Sequence, residues 1–117
     1  MFERYSFVAL TTIDLAKARH FWVEQLGFKV TEERDGHFFI VDAGGLRLCV
    51  DLADGDTHVA GGTDPVIGLK VQSVEAVVAS LRERGLSPEK EVTSGRRGAY
   101  AIFRDPDRRP VIVTEAD

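Results

Sequence analysis

The chain has 117 residues, 44% hydrophobic and 29% charged, which is typical of one compact globular domain that buries a real core. Its formal net charge of -4 argues against a nucleic-acid-binding protein, because the phosphates of nucleic acid require a basic surface. The single cysteine, Cys49, excludes an intrachain disulfide framework, and the lack of a signal-like or long apolar segment predicts a cytoplasmic protein without membrane contact.

The first half of the sequence predicts a strand, a helix and three further strands. Residues 5–12 place Val8 and Leu10 on one side and Tyr5, Phe7 and Ala9 on the other, and this alternation predicts the first strand. Asp14 is the predicted N-cap of a helix over residues 15–26, and Gly27 supplies its left-handed stop. Glycine-containing turns then separate three short strands, which are predicted at residues 28–33, 36–42 and 46–52.

The second half predicts the same order of elements. Residues 53–64 are rich in Gly and Asp without periodicity, and we interpret them as a linker. A strand at 65–71 precedes a helix whose apolar residues recur from Val74 to Leu81 at helical spacing, and Gly85 ends that helix. The three remaining strands are predicted at residues 88–93, 99–104 and 109–115.

Three segments carry a resemblance to a known family. They are DLAKARHFW at 14–22, LGF at 26–28 and FRDPD at 103–107, and their joint order resembles the vicinal oxygen chelate superfamily of glyoxalases, bleomycin-resistance proteins and extradiol dioxygenases. The last segment is similar to the family's DPDGN turn, but Arg108 and Arg109 stand in place of its Gly and Asn. The resemblance covers nearly the whole chain.

The resemblance implies an α+β fold made of two βαβββ modules that pair into a curved mixed sheet with a concave cleft. Residues 1–117 would form one domain, with module one at 1–52, the linker at 53–64 and module two at 65–117. In this family the clefts commonly form where modules of two chains pair, so the resemblance also implies a homodimer.

Alternation along the strands predicts which side chains face the cleft. Aliphatic positions such as Leu48, Val50 and Val111 should pack on the helices, so the intervening positions should lie on the opposite face. A mixture of apolar, small and charged groups on that face is typical of a small-molecule site, although a packed subunit interface is an equal alternative. The predicted ligand-binding residues are Phe7, Ala9, His37, Phe39, Arg47, Cys49, Val66, Gly68, Tyr100, Ile102 and Ile112.

The family's metal positions can be compared with this chain one by one. The resemblance implies His on the first and fifth strands, Glu on the eighth, and often Glu or Gln on the fourth. Here those positions hold Phe7, Val66, Ile112 and Cys49. Hydrocarbon side chains donate no lone pair, and the three histidines are scattered, so the sequence predicts neither a metal nor another cofactor.

These observations favour a metal-free protein that binds a small molecule without transforming it. An acidic group of Asp51, Asp54 and Asp56 favours an aromatic or cationic, antibiotic-like ligand, as the resemblance to bleomycin-sequestering proteins implies. The arginines at 96, 97, 108 and 109 form a basic group, and solvated surface is the alternative interpretation of both charged groups. One alternative is a lyase, isomerase or dioxygenase-related enzyme that uses an atypical site at His37, Tyr100 or Cys49. Another is an interaction module that lacks a pocket.

Overall fold

The structure is a computed structural model that describes residues 1, 3, 7–53, 66–95 and 98–115. Tyr5 of the predicted first strand, almost all of the predicted linker, and Arg96 and Arg97 lie outside the described residues. The chain divides into two units, Met1–His58 and Val59–Asp117. Of the helices in the described ranges, none combines the length and the hydropathy that crossing a membrane requires.

The first unit contains one four-stranded mixed sheet and one helical segment. Its strand order is β1-β4-β3-β2, in which β1 and β4 are parallel and the other pairs are antiparallel. The register of β2 against β3 shifts between Val30 and Glu32, which marks a β-bulge. The strands span Val8–Thr12 (β1), Lys29–Arg34 (β2), Phe38–Ala43 (β3) and Leu46–Leu52 (β4).

The helix of the first unit begins where the sequence predicts but changes its hydrogen-bonding pattern. Asp14 is the N-cap, and its carboxylate accepts the backbone N–H of Lys17 at 3.0 Å. The α-helical part, α1, ends at Arg19 (Leu15–Arg19), and a π-helix follows over His20–Gln25. The prediction of one regular helix over 15–26 was therefore wrong in its second half. Gly27 then adopts a φ of 82°, as its role as a left-handed stop requires.

The second unit repeats the arrangement of the first. Its strand order is β5-β8-β7-β6, with β5 and β8 parallel. Helix α2 begins after Ser73, whose hydroxyl accepts the N–H of Ala76 at 3.2 Å, and Gly85 follows it with a φ of 87°. The elements are β5 (Ile67–Lys70), α2 (Val74–Glu83), β6 (Thr93–Gly95), β7 (Gly98–Arg104) and β8 (Pro110–Thr114). Two mixed sheets with few helices confirm the α+β fold class.

One strand of the second unit was misplaced by the sequence analysis. Residues 88–92 form no strand, and β6 covers only Thr93–Gly95. Pro88 has no N–H to donate to a ladder, and the backbone bond from Glu89 to Ile102, at 2.7 Å, is not continued into a strand over 88–92. A strand at 88–93 was therefore a wrong prediction.

In each unit, one face of the sheet is buried, as alternation along the strands predicts. Leu10, Leu48 and Val50 are completely buried in the first unit, where α1 packs on β4. In the second unit, Val111 and Val113 are buried on the face that is covered by α2. We call the other side of each sheet its open face.

The turn between β7 and β8 holds a non-glycine residue in a left-handed conformation. Asp105 organises this turn, because one of its carboxylate oxygens accepts the N–H groups of Asp107 (3.0 Å) and Arg109 (2.8 Å). Arg108 lies between them with a φ of 69°, at the position where the related motif has glycine. A side chain in this conformation is strained by its Cβ atom.

Replacement of Arg108 by glycine is therefore expected to raise the free energy of unfolding by about 0.5–1 kcal/mol, since glycine adopts positive φ without strain. Urea denaturation of both proteins measures the difference. Arg82→Gly is a matched control, because Arg82 lies in the last turn of α2 and glycine there should destabilise by about 1 kcal/mol. Loss of stability in both variants would contradict the assigned strain.

Candidate functional site

The open face of the first sheet carries four of the predicted ligand-binding residues. Residues directly opposite each other on neighbouring strands share a face, and the register pairs Ala9 with Cys49 and Cys49 with Ile40. Arg47 lies two residues from Cys49 on the same side. Phe7, two residues before Ala9, exposes 51% of its surface. This face therefore combines an exposed aromatic ring with small and charged neighbours.

The open face of the second sheet carries the other group of predicted residues. Gly68 pairs with Ile112, and Ile112 pairs with Ile102, so these three form one row across the sheet. Tyr100 lies beside this row on the same face, and Val66 exposes 57% of its surface. A Cβ atom added to Gly68 would meet no described atom within 4 Å. The row therefore has an open notch at Gly68.

Two predicted site residues do not lie on an open face. Phe39 is opposite Val50 in the register and is only 1% exposed, so it belongs to the helix-covered side of the sheet. The open-face residue of this strand next to Cys49 is Ile40. His37 lies in the turn before β3 and not on the strand itself. The prediction that His37 and Phe39 face the cleft together was wrong.

The residues at the family's metal positions do not fit a divalent ion. Phe7, Val66 and Ile112 are hydrocarbons, and a metal requires lone pairs from oxygen, nitrogen or sulfur. Within the described ranges, no three His, Cys, Asp or Glu side chains are grouped to hold a metal ion. His20 does contact a carboxylate, because its Nδ1 atom lies 2.7 Å from Oε2 of Glu24, but this exposed pair stands alone on the π-helix.

Cys49 lies on the open face of the first sheet, and its environment keeps the thiol protonated. Burial raises the pKa of the Cys49 thiol to about 11, and the negative charge of Asp51 and a hydrogen bond to that carboxylate add to the effect. Glu32 raises the pKa further, whereas Arg47 lowers it. The charges around this thiol are therefore negative on balance.

A buried ionic cluster in the β7–β8 turn escaped the sequence analysis. Solvated surface was the alternative interpretation for Arg109, which is 1% exposed, and Asp105 and Asp107 are each 4% exposed. Nη1 of Arg109 donates to Oδ2 of Asp105 at 2.5 Å and lies 4.0 Å from Oδ2 of Asp107. Two aspartates within four residues of an arginine were the available signal, since carboxylates buried in a turn need a cation.

The charged groups predicted near the cleft are only partly described. Asp51 is half-buried at the end of β4, opposite Phe38 on the open face, while Asp54 and Asp56 lie outside the described residues. Arg96 and Arg97 lie outside them as well. Asp51 is therefore the one member of the predicted acidic group whose position is given.

Comparisons with known proteins point to one family. The model of the Glyoxalase/Bleomycin resistance protein/Dioxygenase superfamily matches residues 4–111. No curated protein sequence matches the chain.

Solved structures of several proteins have the same fold as this chain. A glyoxalase family protein from Enterococcus faecalis has a TM-score of 0.77 and 24% identity, over 96% of this chain and 97% of that one. A lactoylglutathione lyase from Agrobacterium tumefaciens has a TM-score of 0.75 and 18% identity, over 97% and 93%. The protein UcmS2 has a TM-score of 0.82 and 23% identity, over 99% and 100%. At these identities the likenesses establish the fold alone.

Proposed function

Because this chain belongs to the Glyoxalase/Bleomycin resistance protein/Dioxygenase superfamily, we propose that it is a metal-free member that binds a small aromatic or cationic molecule without transforming it. Its ligand would lie on an open face of a sheet, and two copies of the chain would form a homodimer. An antibiotic-like compound is a ligand of this chemistry. No metal or other cofactor takes part.

The observation that carries the proposal is the set of hydrocarbon side chains on the open faces. Phe7 and Val66 expose about half of their surfaces, and the row of Gly68, Ile112 and Ile102 leaves a notch beside two branched side chains. A contiguous apolar surface that is left in solvent marks a binding surface, whereas a single exposed side chain does not. A flat apolar ligand would cover them and would gain the free energy of removing them from water.

Charge on the first sheet supports a cationic ligand. Asp51 and Glu32 both act on the Cys49 thiol as negative charges, and Arg47 offsets them only in part. A positive ring system would be attracted to this face, and the ring of Phe7 offers a cation–π contact beside it.

The enzyme alternative finds less support. The raised pKa of Cys49 leaves almost no thiolate near neutral pH, and the thiolate is the reactive form. His37 lies in a turn, away from the strand position that would have aimed it into a cleft. Cys49 is therefore not activated as a nucleophile, and His37 does not lie on a strand of the first sheet.

Thermal unfolding in the presence of planar aromatic cations tests the proposal. A ligand at about 100 times its Kd should stabilise the protein by about 2.7 kcal/mol. Gly68→Val fills the notch with a side chain that meets no described atom and suits a strand, so the variant should fold. It should bind the same cation about tenfold more weakly, since overfilling a fitted site costs about 1–3 kcal/mol.

Leu52→Ala is the control for non-specific adsorption to apolar surface. Leu52 exposes 45% of its surface and shares the strand side of Val50, so its loss should leave affinity unchanged. Equal weakening in both variants would argue against a site on the open face.

The same thermal-unfolding screen with Mn, Ni and Zn salts tests the absence of a metal. A metal that stabilises the protein until a chelator removes it would contradict the metal-free proposal. Sedimentation velocity on the same samples checks the homodimer.

A further inference from the structure

The first unit contains a cleft on the side away from its open face. The cleft has a volume of about 320 Å³ and lies where α1 faces the end of the β2–β3 hairpin. Its apolar wall is formed by Leu15 and Ala16 of α1 and by Phe39 of β3, and Phe38, which has open-face parity, borders the cleft at the first residue of β3. Small-molecule sites typically occupy roughly 300–1,000 Å³ and are lined mostly by apolar side chains, so this cleft falls within that class.

The shapes of the surrounding elements explain why the space exists. Helix α1 packs on β4, and its Leu15, Ala16 and Arg19 line the cleft on the side opposite the hairpin. The hairpin turns at Gly36, where a Cβ atom would meet no described atom within 4 Å. A turn without a side chain therefore leaves this corner of the unit open.

An ion pair spans the cleft from the helix to the hairpin. Arg19 donates from Nε and Nη2 to the two carboxylate oxygens of Glu33, at 3.2 Å and 3.5 Å. Both side chains are partly exposed, at 41% and 48%. Because an exposed pair contributes only about 0–1 kcal/mol, it can part and re-form as a ligand enters.

The rim of the cleft also decides the charge of its ligand. Besides Arg19 and Glu33, the rim contains Arg34 and Asp35, so two positive groups face two negative ones. No surplus charge is left to attract an ion. An uncharged molecule with an aromatic or hydrocarbon body matches this lining.

We propose that this cleft is a second binding site, which takes a small neutral aromatic molecule independently of the open faces. The ring would lie against Leu15 and Ala16, under the Arg19–Glu33 pair. The site differs from the proposed cation site in its face, its elements and its ligand charge. Binding at the cleft does not depend on the proposed cation site.

Indole is a suitable probe, since it is planar, neutral and mostly apolar. In an NMR titration of the full chain, indole should shift the backbone amides of α1 and the β2–β3 hairpin along one saturable curve. Ala16→Leu places three more carbons at the cleft on a helix that tolerates leucine, and it should weaken indole binding about tenfold or more. Ala79→Leu makes the same change on the exposed side of α2 and should leave the affinity within about twofold.

Three results would overturn the proposal. They are shifts that do not saturate, shifts that fall on the open-face residues of β5, β7 and β8, and indole binding that survives Ala16→Leu. The spectrum of Ala16→Leu without indole shows whether the variant is folded, because resonances of the first unit away from α1 and the β2–β3 hairpin should stay in place. Binding of indole at the cleft with no response to aromatic cations would leave this site intact and contradict only the proposed function.

Discussion

Replacement of Arg109 by alanine is expected to lower the free energy of unfolding by about 3–5 kcal/mol, because it leaves two buried carboxylates without their cation. Arg109 is 1% exposed and donates to Asp105 at 2.5 Å, with Asp107 4.0 Å away. Urea denaturation followed by far-UV circular dichroism measures the loss. Arg104→Ala is the matched control, since the exposed pair of Arg104 with Glu89 should contribute only about 0–1 kcal/mol.

The same variant has a pH dependence whose sign follows from Asp105. Burial raises the pKa of Asp105, and the hydrogen bonds and charge of Arg109 offset part of that rise. A carboxyl with a raised pKa in the folded state contributes stability below its unfolded pKa, and this stability is lost as pH rises through the folded pKa. Without Arg109 the pKa rises further and the loss grows.

The difference in free energy of unfolding between Arg109→Ala and the unaltered protein should therefore be larger at about pH 7 than at about pH 4. Measuring both proteins at each pH cancels the titration of all other groups. Two results would contradict the role assigned to the buried cluster. One is a loss in free energy of unfolding no greater than that of Arg104→Ala, and the other is a loss that increases as the pH is lowered.

Alkylation of Cys49 by iodoacetamide at about pH 8 should be about 100-fold slower than alkylation of the same residue in the urea-unfolded chain. Burial first, and then Asp51, raise the pKa of the thiol from 9.0 to about 11. A rise of about two units lowers the thiolate fraction about 100-fold, and the thiolate is the reacting form. Mass spectrometry of the modified fraction over time gives the rate.

Asp51→Asn provides the control for this prediction. The variant removes the negative charge and the carboxylate that lies 3.7 Å from the sulfur, so alkylation should accelerate. Burial remains the larger cause, and the rate should stay well below that of the unfolded chain. A folded protein that reacts as fast as the unfolded chain would restore Cys49 as a candidate nucleophile.

Alternation predicted the strand faces well where apolar residues alternate with polar or small ones. The strand at 46–52 matches β4 at both ends, and the register places Leu48 and Val50 on one side and Arg47 and Cys49 on the other, as its alternation predicts. Gly68 and Ile112 were placed on one face by the same alternation, and the register pairs them. Period-two patterning carries this information because a strand turns every second side chain to the same side.

The same method failed at β3, where no alternation exists. Residues 38–41 are Phe, Phe, Ile and Val, and a run of four apolar side chains fits either face. Local alternation therefore did not determine the face of Phe39, and His37 was assigned to the same face by its parity with Phe39, although His37 lies in the turn. The pairing of Phe39 with Val50 depends on contacts that are distant in sequence, and these are not encoded in the local pattern.

The π-helix and the buried arginine were also beyond local patterns. Apolar spacing over residues 15–26 does not distinguish α-helical bonds from the wider bond of Leu26 to the carbonyl of Phe21, at 2.9 Å. Solvated surface was the alternative given for the arginine group that contains Arg109, and it is where most arginines lie. Its burial depends on the conformation of the turn, which brings the carboxylate of Asp105 to its guanidinium group.

The packing of Trp22 on the π-helix has a practical consequence for following unfolding. Trp22 is the only tryptophan of the chain, it is completely buried, and it contacts Phe21 edge-on at 5.1 Å and stacks on Phe28 at 6.2 Å. Its emission therefore reports on the first unit alone, whereas circular dichroism reports on both. Arg109 belongs to the second unit, so comparing the two signals shows whether damage there spreads to the first or leaves it folded.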